Sequence, residues 1–175
     1  MDELSTLREH LERYRGVTLQ TLDFVPADKL GWRPSGEQST VGQELAHIGQ
    51  TEDYYRAGLF TGDWDIERLR FPNEPLTKEA VRDLLVRTRA ELWSALETVT
   101  IVDLGATVSV PSLPVSWPLR AWLWHIVEHE VHHKGKAAAY LRALGVEPPY
   151  FAAALTPGQR PDHEFARKLR ASAVS

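Results

Sequence analysis

Residues 122–135 read WLWHIVEHEVHHKG and place His125, His129, His132 and His133, four of the chain's seven histidines, within nine residues. Neutral imidazole is the commonest metal ligand, and two histidines spaced i, i+4 on a helix aim their rings at one ion. On a wheel of about 100° per residue with His129 at zero, Trp122 and Tyr140 fall at about 20°, His133 at about 40°, Ile126 and Leu144 at about 60° and Ala137 at about 80°. His129 and His133 are therefore expected within the buried stripe. His125 and His132 fall toward the edge, at about 320° and 300°, and are poorer ligand candidates. The alternative for the inward pair is two hydrogen-bonded core histidines. His10 and His163 have no partner at ligand spacing and read as solvated.

Two ligands from one helix hold an ion loosely, so a third is needed from elsewhere. His47 is the candidate, at the margin of the apolar stripe formed by Val41, Leu45, Ile48, Tyr55 and Leu59. Three neutral imidazoles leave one coordination position for water or substrate, as in catalytic zinc sites. Such an ion lowers the pKa of a bound water or thiol, or polarises an oxygen. Glu52 falls inside the same stripe, where a carboxylate is costly unless paired, ligated or engaged in chemistry. It is the candidate catalytic residue, as proton acceptor, or a further ligand. The alternative is a buried ion pair with an arginine from the first or third helix.

Composition narrows the chemistry. The chain has no cysteine, so Cys-ligated zinc, disulfides and protein thiol nucleophiles are excluded, and any thiol must arrive as a cosubstrate. A net charge of −4 and a pI near 6.0, without clustered Lys and Arg, argue against a nucleic-acid surface and favour a small-molecule substrate. The segment MDELSTLREHLERYRG lacks the apolar region of a signal peptide, and no apolar run is long enough to span a bilayer, so a cytoplasmic location away from the membrane is expected. With 175 residues, 43% of them hydrophobic and 25% charged, the chain fits one domain, residues 1–175.

Four helices must position these groups. Leu4, Leu7, Leu11, Tyr14, Val17 and Leu22 recur at helical spacing, predicting a helix over about 2–24 that ends before Pro26. Thr40 and Gln43 form a capping-box pattern that starts a helix over about 40–60. Thr77 offers an N-cap for a third helix, about 77–99, in which the run from Arg87 to Glu91 reads as a solvated face. Pro118 suits the first turn of a fourth helix, about 117–144, closed by Gly145. The prolines of 108–115 favour an extended connection, and 146–175 reads as a tail with a short helix near 163–170. No period-2 strand is convincing. The expected fold is an all-α four-helix bundle with long crossover loops. Trp117, Trp122 and Trp124 read as core or as a substrate wall. Trp124, opposite the stripe, points to a homodimer or to cover from the tail.

His47 within ELAHIGQTEDYY, followed by HEVHHKGKAAAYLRALG from His129 to Gly145, resembles the DinB/YfiT-like superfamily. The likeness runs from the first helix to Gly145 and includes LGWRP at 30–34. It implies a bundle with up-down-down-up connection and a divalent metal on His47, His129 and His133. Family members with assigned activity include bacillithiol-dependent S-transferases and mycothiol-dependent maleylpyruvate isomerases, and others are described only as metal-dependent hydrolases. The implied function is a metal-dependent enzyme acting on a water or a low-molecular-weight thiol, with zinc first and nickel or iron as the other candidates. The alternative is a non-catalytic bundle that is metal-stabilised or ligand-binding. One departure stands out: family members often carry HHRGQ, where this chain has HHKGK at 132–136, placing Lys136 at the site edge.

Overall fold

The computed structural model describes residues 2–37, 39–71, 75–111 and 114–149. His163 and the short helix expected near 163–170 lie outside the described residues. The described helices are α1 (Glu3–Phe24), α2 (Val41–Thr61), α3 (Lys78–Leu96) and α4 (Leu119–Ala143), each within a few residues of its expected bounds. Their ends follow local chemistry. Thr40 Oγ1 accepts from the Gln43 amide while the Gln43 side chain accepts from the Thr40 amide, so both halves of the capping box form at the start of α2. Thr77 caps α3 through the Ala80 amide. Gly145, at φ +77°, turns the chain out of α4 in the left-handed region that glycine adopts without a Cβ penalty.

Side-chain pairings fix the helix directions. Along α1, Glu3 pairs with Arg120, His10 packs on Trp124 and Thr18 bonds Glu130, so α1 and α4 run parallel. Leu11 meets Arg89 and Asp23 meets Arg82, so α1 and α3 run antiparallel. Glu44 reaches Lys136 while Tyr55 reaches Trp122, so α2 opposes α4. The connection is up-down-down-up, with α2 packed against both α3 and α4, and α1 against α4 and α3. The strand-free expectation needs one correction. β1 (Thr107–Ser109) and β2 (Ser116–Pro118) form a two-stranded antiparallel ribbon with Val108 opposite Trp117. Thr107–Ser109 and Ser116–Pro118 thus pair with each other ahead of α4.

The core lies in two apolar layers. Leu7, Leu11, Leu92, Trp122 and Leu123 are central to one, and Leu22, Val41, Leu45, Leu85 and Leu141 to the other. Burial of side chains of this size contributes about 1.5–3 kcal/mol each. Between the layers every helix supplies a polar residue. Arg15 Nε lies 2.9 Å from Glu130 Oε1 and its Nη2 lies 2.6 Å from Glu52 Oε2. Arg89 Nε lies 2.6 Å from Glu52 Oε1 and its Nη2 lies 2.7 Å from Glu130 Oε2. Thr18 donates to Glu130 and Thr88 to Glu52. Two guanidiniums and two carboxylates thus close a neutral buried ring. Burial alone would raise the Glu130 pKa, and the facing arginines hold it below the ordinary value. The expected solvated face at Arg87–Glu91 is overturned at Arg89, which is buried in this ring.

No helix among the described residues is long and apolar enough to cross a membrane.

Candidate metal centre

The sequence puts His47 in the second turn of α2 and His129 and His133 one turn apart in the middle of α4. Because α2 opposes α4 across a cleft, these three rings meet. Ring centroids are 5.1 Å apart for His47 and His129, 4.8 Å for His47 and His133, and 4.3 Å for His129 and His133. One nitrogen from each lies within 4.8 Å of the others. Nitrogens bonded to a tetrahedral zinc at about 2.0–2.1 Å sit roughly 3.3 Å apart, so the three would have to close by on the order of an ångström to hold one ion. Their electrostatics suit a cation. Burial, followed by the proximity of His133 and His47, pushes the His129 pKa down to about 3. Burial lowers His47 and His133 as well, although Glu44 opposes the shift at His133. The three shifts all favour the neutral ring, the form that ligates.

The buried stripe of α4 is wider than the sequence wheel indicates. Leu123, Val127, Glu130 and Leu141 are buried in addition to Trp122, Ile126, Ala137 and Tyr140, because α4 packs against both α1 and α2. His129 and His133 therefore lie at the stripe's edge, half-buried at the cleft rather than within the core. His132 is exposed, and His125 is half-buried with its ring 6.2 Å from that of His129.

Glu52 is not brought to the three histidines. Its carboxylate lies in the buried ring between Arg15 and Arg89, which are the first- and third-helix arginines of the ion-pair alternative. Trp124 is half-buried, with the His10 ring edge-on against it at 5.3 Å between centroids. His10, expected to be solvated, is half-buried by that contact and holds Arg13 at 2.8 Å. Trp122 is fully buried with its indole N–H donated to the Val108 carbonyl, whereas Trp117 stays 39% exposed.

Glu44 is the residue that sequence reasoning missed. Its Oε2 lies 2.6 Å from His133 Nδ1 and its Oε1 2.8 Å from Lys136 Nζ. Burial alone would raise its pKa, and the bonds from Lys136 and His133 bring it below the ordinary carboxylate value. A signal was present: Glu44 stands three residues before His47, on the same side of α2. An open cleft of about 180 Å³ reaches two of the three histidines, lined by Ser39, Gln43, Glu44, His47, Phe71, His133 and Lys136.

Comparison with known proteins agrees with this architecture. Residues 10–137 match the family described as the DinB superfamily. The fold is similar to that of a DinB-like protein, YjoA, from Bacillus subtilis, with a TM-score of 0.66 and 20% identity over 83% of this chain and 97% of that one. A DinB-like protein from Bacillus cereus superimposes with a TM-score of 0.68 at 18% identity, covering 82% of this chain and 94% of that one. No curated protein matches this chain in sequence at a significant level.

Proposed function

This chain belongs to the DinB superfamily, and from that premise we propose that it is a divalent-metal-dependent enzyme in which His47, His129 and His133 hold one ion. The observation that carries the proposal is the convergence of three neutral imidazoles from two helices on one point beside an open cleft. When bound, such an ion supplies Lewis-acid chemistry that acidifies a water or a thiol or polarises a substrate oxygen. Zinc is the first candidate, and nickel or iron suit the same donor set.

The chain's own residues define the rest. Three protein ligands leave room for a fourth group to enter from the cleft. The cleft is smaller than the roughly 300–1,000 Å³ of drug-sized pockets, which favours a small substrate or the reacting end of a longer one. With no cysteine in the chain, a low-molecular-weight thiol would enter as a cosubstrate for S-transfer or isomerisation, and a water would serve hydrolysis. The carboxylate of Glu52 is engaged in the bundle, so we assign it to holding the helices.

Elemental analysis of the untagged protein beside the H129A and H133A variants tests the assignment. About one divalent ion per chain, lost in both variants, is the expected result. Stoichiometric metal retained in the H133A variant sinks it.

A further inference from the structure

We propose that Glu44 and Lys136 are positioning residues: Glu44 accepts a hydrogen bond from His133 Nδ1–H and thereby fixes the tautomer that leaves His133 Nε2 free to bind the ion, while Lys136 holds Glu44 in place. The inference rests on the metal-centre reading above and deepens it.

Glu44 is 2% exposed, and a carboxylate so buried requires partners. It has two. Lys136 Nζ donates to Oε1 at 2.8 Å, and Oε2 faces His133 Nδ1 at 2.6 Å. An ionised carboxylate only accepts hydrogen bonds, so the proton of this contact belongs to Nδ1 and the lone pair of the neutral ring to Nε2. A histidine ligand whose other ring nitrogen is held by a carboxylate keeps its tautomer and ring orientation and becomes a better donor. The arrangement also bridges the site. Glu44 stands three residues before His47 on α2, and Lys136 three residues after His133 on α4, so one ion pair ties the two ligand-bearing helices together at the height of the centre.

The lysine gives the carboxylate a single task. With Oε1 engaged, only Oε2 faces the imidazoles, so Glu44 sits behind His133 as an acceptor instead of joining the histidines as a fourth ligand. This is where HHKGK differs in consequence from HHRGQ: a neutral glutamine at 136 would donate to Glu44 without balancing its charge.

Nitrogen NMR of the imidazole rings in the metal-free wild-type protein, with H133A for assignment, tests the tautomer directly. Protonated Nδ1 at His133 is expected, and protonated Nε2 overturns the proposal. Zinc affinity by competition with a chelating dye provides the second readout. E44A is expected to weaken binding 10–100-fold and to release the His133 tautomer, E44Q to recover only part of either because its single amide oxygen can accept from His133 or from Lys136 but cannot replace both carboxylate oxygens, and K136M to lose less than E44A. Wild-type affinity in E44A overturns the role of Glu44. If wild type and H133A bind zinc alike, the metal reading fails instead, and the tautomer measurement still judges Glu44.

Discussion

His129 and Glu130 are neighbours on α4, yet they face different worlds. The His129 ring joins His47 and His133 at the cleft, while the Glu130 carboxylate is locked 2.9 Å from Arg15 Nε and 2.7 Å from Arg89 Nη2 in the core. Turning one residue along the helix passes from the candidate site to the ring that joins all four helices. The scaffold behind the histidines is thus built from groups that do not depend on an ion.

That separation predicts the result of chelation. A chelator should strip the ion and leave far-UV circular dichroism unchanged, with the melting temperature lowered only by the lost binding linkage. Loss of helical signal at room temperature would point instead to an ion that holds the fold, as in small domains unfolded without metal.

The buried ring predicts a large effect from a single change. Arg89→Met leaves Glu52 and Glu130 sharing one guanidinium, and breaking buried pairs of this kind costs about 3–5 kcal/mol. Urea denaturation of R89M should show that loss. A change below about 1 kcal/mol would mean that the ring contributes little to stability.

Acid should destabilise the metal-free protein early. His129 has a folded pKa of about 3 against an ordinary 6.5, so the unfolded chain binds more protons between those values. The sign follows: stability is full above about pH 6.5 and falls as pH drops toward 3, by up to about 1.4 kcal/mol per pH unit from this group. His47 and His133, also lowered, act in the same direction. Denaturation midpoints between pH 8 and 4 check this, and the H129A variant should show a shallower slope.

Gly58 predicts a packing clash. A Cβ there would run into the Trp64 ring, and that indole packs on Tyr54 and Tyr55. Gly58→Ala gains about 1 kcal/mol of helix propensity but must displace the ring, and overpacking costs about 1–3 kcal/mol. A lower melting temperature with an altered near-UV aromatic signal is expected, and an unchanged spectrum with higher stability would contradict it.

The sequence by itself determined the helices and the ligand candidates. Apolar spacing, the Thr40–Gln43 capping box, the Thr77 cap and Gly145 are local signals, and local backbone chemistry decides where helices start and stop. The i, i+4 spacing of His129 and His133 is equally local. What only the tertiary structure decided were relations between helices. Arg89 lies in a charged run that reads as solvated, and Glu44 stands in a first turn with nothing local to mark it beyond its place three residues before His47. Each gains its meaning from a partner 41 or 89 residues away in sequence, Glu130 for one and His133 for the other. A wheel gives the direction of a side chain from its own axis but not which neighbour stands there. The antiparallel crossing of α2 and α4 turned three separate histidines into one centre and gave His133 its carboxylate.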